Sequence, residues 1–224
     1  MTNTSNVQEN FSFEYVSGIT DWGGNMNFYY YPAPNHEIQF GVGETYHTFK
    51  PGVNQLKISD AGTAIDTSYG SSRTYAHEFY GYIQDDFKIS KRFMANLGVH
   101  FSNFYVRKKL YNALQPRASL NYKLDEKSSV KASYSKTTQF LHLLTNTSIG
   151  LPTDLWVPVT DSVPPQQGHQ VAIGYTRELP KGFRISTEGY YKTMDNLIEY
   201  KEGASFFGSN QNWESLIETG SGYS

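Results

Sequence analysis

Apolar and polar residues alternate strictly along most of this chain, in stretches of about ten residues. The clearest stretch is 93–102, where Phe93, Ala95, Leu97, Val99 and Phe101 alternate with Met94, Asn96, Gly98, His100 and Ser102. Successive side chains of a β-strand point to opposite faces, so this pattern predicts strands with one apolar and one polar face. We therefore expect an all-β fold.

The alternation predicts nine strands, which cover residues 11–15, 26–30, 38–47, 78–88, 93–102, 116–124, 130–135, 171–175 and 185–191. A short link from Gly18 to Asp21 separates the first two. Tight turns are expected where Pro, Gly, Ser or Asp interrupts the pattern, at Pro32–Asn35, Ser90–Arg92, Asp125–Lys127 and Leu179–Gly182. Long polar segments, such as residues 50–73, make the other connections. Because short and long connections alternate, we expect an antiparallel up-and-down meander.

Two architectures produce such alternation. In a soluble sandwich the apolar face packs on a second sheet, whereas in a membrane barrel it meets lipid and the polar face lines the lumen. The ordered connections favour the barrel, and so does the absence of charge at the middle of the apolar face, where one Arg or Lys costs about 2–4 kcal/mol. Aromatic residues also gather near both strand ends, as interfacial girdles do: Tyr29, Tyr30, Tyr31, Phe87, Phe93 and Phe183 at one end, and Tyr46, Tyr75, Phe101, Tyr105 and Tyr191 at the other.

Composition narrows the class of protein further. The 224 residues are 38% hydrophobic and 16% aromatic, yet no apolar run reaches the roughly 18 residues that a spanning helix needs. A net charge of -2 without basic blocks argues against a nucleic-acid partner. The absence of cysteine excludes disulfides, thiolate metal sites and a cysteine nucleophile. Residues 1–10 are polar and lack the apolar core of a signal peptide, so we expect a mature or truncated chain.

Several blocks of this sequence resemble the barrel of TonB-dependent receptors from Bacteroidetes-type bacteria. They are Tyr30–His36, His47–Gln55, Gln115–Ser119, Leu151–Val159, Glu188–Met194 and Asn196–Ala204, and they occur in the order found in that family. The resemblance extends from about Trp22 to Ser221.

The resemblance implies a 22-stranded outer-membrane barrel that is plugged by an amino-terminal domain and imports a scarce nutrient with energy supplied through TonB. Siderophore, cobalamin, glycan and peptide receptors share this barrel, so the nutrient stays open. The expected partners are outer-membrane lipid and lipopolysaccharide, the receptor's own plug domain, the TonB system and a surface lipoprotein. We expect residues 1–224 to be an internal part of such a barrel, without the plug and the C-terminal strand, because about nine strands cannot close one of that size.

Direct inspection of the residues indicates no catalytic, cofactor or metal site. The six histidines show no metal-ligand spacing; His47 and His100 are expected on the lumen face, and His77 is expected to point outward. Asp85 and Asp86 resemble the paired carboxylates of an omptin-type protease, but adjacent strand residues point to opposite faces. A salt bridge or a water contact at the periplasmic rim is the better interpretation of both.

Ligand contacts are expected on the long loops, because recognition concentrates in loops held by a rigid scaffold. In the loop 145–167, Trp156 offers a stacking surface and Asp154 a hydrogen-bond acceptor. Tyr200 and Trp213 are the candidates in the last loop. The alternative for Trp156 is simple packing of the loop onto the barrel wall.

A separate basic segment, Val106–Lys109, is a candidate contact for lipopolysaccharide phosphate or else a solvated loop. The alternative function for the whole chain is a stand-alone β-sheet binding protein or adhesin that recognises glycans through exposed loop aromatics.

Overall fold

The structure, a computed structural model, describes residues 10–60, 63–70, 73–145, 155–204 and 213–224, with side chains described for 17–50, 73–145, 155–204 and 213–224. Its main sheet is an antiparallel meander in which nine strands follow one another from edge to edge. In sheet order these are β1 (Asn10–Ala33), β2 (His36–Asp60), β4 (Thr74–Lys88), β5 (Phe93–Val106), β6 (Lys109–Lys123), β7 (Ser128–Gln139), β10 (Gln166–Glu178), β11 (Arg184–Tyr200) and β12 (Ile217–Tyr223). The up-and-down meander is confirmed.

Three further strands lie off this path. β3 (Thr63–Gly70) pairs with the distal half of β2, and β8 (Leu141–Leu144) pairs with β9 (Leu155–Pro158) in a small separate sheet. Two 3₁₀ helices, Pro180–Gly182 and Trp213–Leu216, complete the described elements. Within the described ranges, no helix is long and apolar enough to cross a membrane.

The hydrogen-bond register aligns the apolar residues of neighbouring strands on one face of the sheet. One row joins Ile83, Val99 and Pro116 across β4, β5 and β6, and a second joins Ala95, Leu120, Ala132 and Ile173 across β5, β6, β7 and β10. Most large side chains of this face are not covered: Ile83 is 50% exposed, Leu97 54% and Ile173 62%. A soluble sandwich would bury this face on a second sheet, so the sandwich alternative is wrong.

Four short connections lie at one end of the sheet, where they were predicted. Pro34 and Asn35 form the first turn, and the Ser90 side-chain oxygen accepts hydrogen bonds from the backbone N–H groups of Arg92 (3.2 Å) and Phe93 (3.1 Å) in the second. At the third, the Asp125 carboxylate accepts a 2.7 Å hydrogen bond from the Lys127 N–H. This end is the periplasmic end of a barrel built in this way.

Three predictions about the strands were wrong in detail. No link separates the first two predicted strands, because β1 runs continuously from Asn10 to Ala33 with a β-bulge between Val16 and Gly18. The β5–β6 connection is not a long loop, since β5 and β6 extend to a two-residue turn at Arg107 and Lys108, both with positive φ. The ninth strand of the path is β12, which the alternation did not reveal.

Aromatic residues mark both limits of the apolar face. Toward the periplasmic end, Phe93 and Tyr122 meet edge to face with their ring centroids 6.3 Å apart. Toward the other end, Tyr46 and Tyr75 stack at 6.1 Å, and Trp22 is 74% exposed. We call the upper set, Trp22, Tyr46, Tyr75 and Tyr105, the outer girdle.

Asp85 and Asp86 point to opposite faces near the periplasmic turn, as predicted. The Asp85 carboxylate lies 2.7 Å from His36 Nδ1 on the apolar face, and His36 stacks on Phe87. The Asp86 carboxylate accepts a 2.8 Å hydrogen bond from the Asn96 amide on the polar face. The two carboxylates therefore cannot act on one bond.

Most of the buried apolar residues lie in two clusters at the outer-girdle end of the sheet, and the sheet residues of the first cluster are on the polar face. One cluster contains Phe49, Ala76, Phe104, Val106, Ala113, Phe140 and Val159. A second contains Leu144, Leu155, Val157, Val163, Trp213, Leu216 and Ile217. We call these the wall cluster and the hairpin cluster. Both include residues of the segment between β7 and β10, so this segment folds inward across the mouth of the sheet.

Candidate extracellular ligand site

The β8–β9 hairpin, which we call the mouth hairpin, has one buried and one open face. His142, Leu144, Leu155 and Val157 lie on the buried face, and all are at most 2% exposed. On the other face Trp156 pairs across the strands with Leu143, which is 39% exposed. The hairpin is thus a folded platform at the extracellular end.

The mouth hairpin is attached to the sheet on two sides. On one side Phe140 stacks on Phe104 of β5 with ring centroids 5.1 Å apart, and Val159 joins the same cluster. On the other side Leu144 and Leu155 pack with Trp213 of the last 3₁₀ helix. Burial of these apolar side chains holds the hairpin across the lumen.

The four predicted ligand residues have different surroundings. Trp156 is partly exposed on the open face of the mouth hairpin, and Tyr200 is partly buried against the hairpin cluster. Trp213 is fully buried, and its indole Nε1 has no hydrogen-bond partner within the described part of the chain. Asp154 lies outside the described residues. Of the three candidates that the structure describes, Trp156 and Tyr200 offer a ligand some surface, and Trp213 packs beneath the platform.

The basic turn between β5 and β6 contacts the mouth rather than standing free. Arg107 Nη1 donates to Glu214 Oε1 at 2.5 Å, and Lys109 Nζ donates to Asp161 Oδ1 at 2.6 Å. One carboxylate belongs to the last 3₁₀ helix and the other to the segment that follows the mouth hairpin. These ion pairs connect the turn to both parts of the mouth. Contact between Val106–Lys109 and lipopolysaccharide phosphate stays a prediction.

Two buried histidines at this end have opposite environments. His47 lies one residue beyond Tyr46, with Nδ1 2.8 Å from an Asp21 oxygen and Nε2 3.3 Å from a Glu78 oxygen. Burial alone would lower the pKa of the His47 imidazole, but the hydrogen bonds and charges of Glu78 and Asp21 outweigh it and raise the pKa above the usual value.

Within the described ranges, no carboxylate contributes to the pKa of His142. Burial lowers the pKa of His142 to about 4, against a weaker opposing hydrogen bond with the Pro164 backbone. Its Nε2 atom has no partner among the residues that the structure describes. His142 is therefore neutral at physiological pH.

On the lumen face below the mouth hairpin, long polar side chains form hydrogen bonds with one another along the sheet. Arg117 donates to the Gln84 side chain at 2.5 Å, and the Tyr82 hydroxyl donates to Asn27 at 2.8 Å across β2. Tyr82 can lie there because Gly41 has no side chain: a Cβ on Gly41 would come within 2.7 Å of the Tyr82 ring. His47 and His100 lie on this face and His77 on the apolar face, as predicted. No group of three or more potential metal ligands occurs among the described residues.

Comparisons with known proteins agree with this architecture. A family model described as TonB dependent receptor-like, beta-barrel matches residues 2–221. The FrpB iron transporter from Neisseria meningitidis superposes with a TM-score of 0.58 at 14% identity, over 84% of this chain and 30% of that one. The pyoverdine outer membrane receptor FpvA from Pseudomonas aeruginosa PAO1 gives 0.51 at 16% identity, over 96% and 33%. No curated protein matches in sequence.

Proposed function

This chain belongs to the TonB-dependent receptor β-barrel family, and from that premise we propose that it forms part of the wall and mouth of an outer-membrane receptor that imports a scarce nutrient. The family consists of receptors and transporters, which act in the bacterial outer membrane and are not enzymes. The chain spans about a third of the length of the solved receptors that it resembles. Import, the plug domain, TonB and a lipoprotein partner are therefore proposals for the full-length protein.

The observation that carries the proposal is the difference in polarity between the two faces of the sheet. The apolar face is open between two sets of aromatic residues, as lipid contact requires, while the polar face carries hydrogen-bonded side chains suited to a wet lumen. Because the family consists of receptors and transporters, we propose no catalytic activity.

The open face of the mouth hairpin is the proposed ligand contact. Trp156 contributes a partly exposed aromatic ring next to Leu143. Tyr200, and Asp154 two residues before Trp156 in the sequence, complete the candidate set. An aromatic ring can stack on a sugar, on a planar chelate or on a peptide side chain, so four nutrient classes stay open: siderophore, cobalamin, glycan and peptide. Because two structural neighbours are named for iron or pyoverdine, a ferric siderophore is the first probe to test.

The experiment is uptake by cells that express the full-length receptor, with one labelled probe of each class. We expect one probe to accumulate only when both the receptor and TonB are present. We also expect Trp156→Ala to weaken its binding about tenfold, as loss of one stacked ring would, while Trp22→Ala in the outer girdle leaves binding unchanged. Accumulation of every probe at the level of receptor-free cells would refute import of these nutrient classes.

A further inference from the structure

A groove of about 680 Å³ opens on the apolar face just below the outer girdle. We call it the Gly81 groove, after the glycine near its centre. Residues whose side chains lie on the apolar face provide most of its lining: Gly24, Met26, Val42, Glu44, Phe79, Gly81, Phe101 and Asn103. The groove therefore belongs to the side of the wall that meets the membrane and not to the lumen.

Two glycines leave this space open, although the packing of the sheet does not require a glycine at either position. A Cβ on Gly24 would meet no atom within 4 Å, and a Cβ on Gly81 would meet nothing nearer than 3.7 Å. By contrast, a Cβ on Gly43 would come within 2.4 Å of the Tyr80 ring on the lumen face. The fold thus tolerates a side chain at Gly81, and the space there is available to something outside the chain.

The groove is apolar at its lower end and polar at its upper end. Met26, Val42 and Phe101 surround the lower part. In the upper part a Glu44 carboxylate oxygen lies 2.9 Å from His77 Nδ1, and both side chains are nearly half exposed. Tyr46, two residues beyond Glu44, belongs to the outer girdle. A carboxylate at this depth, where acyl chains join their headgroup, accepts hydrogen bonds from hydroxyl or amide groups.

We propose that the Gly81 groove binds one acyl chain of lipopolysaccharide, with hydroxyl or amide donors of the lipid at Glu44 and Asn103. The groove is continuous with the lipid-facing surface around it, so hydrocarbon has direct access. Lipopolysaccharide carries amide and hydroxyl groups close to its acyl chains, whereas a glycerophospholipid such as phosphatidylglycerol has only ester oxygens at the same depth. The proposal rests on the outer-membrane placement of this face and is independent of which nutrient the receptor imports.

The test measures the lipid that stays bound to the full-length receptor in detergent, by native mass spectrometry. Gly81→Leu fills the groove, and we expect it to retain about tenfold less lipopolysaccharide, because the acyl chain loses buried contact. Gly189→Leu is the matched control: Gly189 is also a glycine on the apolar face with no atom within 4 Å of an added Cβ, and it lies outside the groove. Equal retention by wild type and Gly81→Leu, or an equal loss in the control, would overturn the proposal.

A second variant tests the upper end without filling the groove. Glu44→Gln preserves size but replaces the carboxylate with an amide, so we expect several-fold weaker retention of lipopolysaccharide and unchanged retention of phosphatidylglycerol with matched chains. Unchanged retention of lipopolysaccharide, or the same loss for both lipids, would contradict the assigned donors. Nutrient uptake by the same variants is a separate measurement, so failure of the import proposal is distinguishable from failure of this one.

Discussion

The two ends of this sheet share the same apolar–polar alternation, but they place their apolar residues on opposite faces. Near the periplasmic end and through the membrane, the apolar side chains of β5, such as Leu97 and Phe101, point outward and are about half exposed. At the level of the outer girdle and just beyond it, Phe104 and Val106 of the same strand point to the lumen face and are almost completely buried under the mouth hairpin. The apolar residues have changed faces within one strand.

This difference shows that lipid surrounds one part of the sheet and water surrounds another. Where lipid surrounds the wall, an outward apolar side chain needs no protein partner, because hydrocarbon already covers it. Where water surrounds the wall, the apolar side chains must turn inward and be covered by protein. The membrane-level wall and the mouth should therefore respond differently to the same kind of substitution.

Phe104→Ala should have the largest effect. It removes a fully buried ring that stacks on Phe140, so we expect a loss of about 3–5 kcal/mol of local stability at the mouth. The readout is hydrogen exchange of residues 140–145 and 155–163 in the full-length receptor, which should become faster. Phe101→Ala, three residues earlier in β5 and facing lipid, is the control and should leave this exchange unchanged. Equal acceleration by both would break the distinction between the two regions.

Leu97→Arg tests the membrane-level wall. Leu97 is on the lipid-facing side, and a charge there should cost about 2–4 kcal/mol if it lies near the bilayer midplane. The measurement is the free energy of unfolding of the receptor in lipid vesicles by denaturant titration. Ser119→Arg places the same charge on the lumen face and should change stability by less than about 1 kcal/mol. If Ser119→Arg proved the more damaging variant, the assignment of faces would be reversed.

Acidification should loosen the mouth through His142. Its pKa is about 4 in the folded chain and near 6.5 when unfolded, so the unfolded chain takes up the proton first as the pH falls. The contribution is intact above about pH 6.5 and is lost progressively toward pH 4, by roughly 3 kcal/mol in total. The hydrogen-exchange protection factors of the mouth hairpin, which correct for the pH dependence of the intrinsic exchange rate, should fall across this range.

His142→Leu serves as the control for that pH response, because it keeps an apolar side chain of similar volume and removes the titrating group. In this variant we expect the protection factors of the mouth to stay nearly constant from pH 6.5 to pH 4.5. His47 has the opposite shift: its raised pKa contributes stability below about pH 6.5 that disappears as the pH rises through the folded value. An undiminished acid response in His142→Leu would assign the effect to another group.

The ion pair between Arg107 and Glu214 should have the smallest effect. Arg107→Glu should destabilise the mouth by about 1 kcal/mol or less, since the arginine is substantially exposed. The double exchange Arg107→Glu with Glu214→Arg should recover part of that loss in a double-mutant cycle. The more exposed pair of Lys109 and Asp161 offers a comparison with a still smaller coupling. A coupling of zero for Arg107 and Glu214 would mean that the apolar clusters alone hold the turn to the mouth.

The part of this fold that could be predicted from sequence is the part governed by local pattern. Alternation around Leu97 and Ile83 located the strands and their apolar face, and Pro34 and Ser90 located turns, because these depend on residues next to one another in the chain. The continuous β1 and the β5–β6 turn were not predicted. The parts of these strands that extend beyond the membrane contain glycine and charged residues, which are also typical of loops. A usable signal was present: Phe104 and Val106 continue the alternation on the other face.

The candidate site could be predicted only in part for the same reason. Trp156 was identified as an aromatic residue in a long loop, and it does lie on the open face of the mouth hairpin. Trp213 looked equivalent in sequence, yet it is buried beneath the hairpin, because its surroundings come from residues near 144, 155 and 198. No pattern within its own loop records those contacts.

By itself the sequence determined that this protein forms an antiparallel sheet with one apolar face and that this face contacts lipid. The two-residue period of the strands and the absence of charge at the middle of the apolar face are local properties of the sequence. Tertiary structure alone decided that the segment between β7 and β10 folds inward, that Arg107 and Lys109 are paired with acidic residues of the mouth, and that two glycines leave a groove toward the membrane. Those features arise from contacts between residues far apart in the chain, and only the folded sheet brings them together.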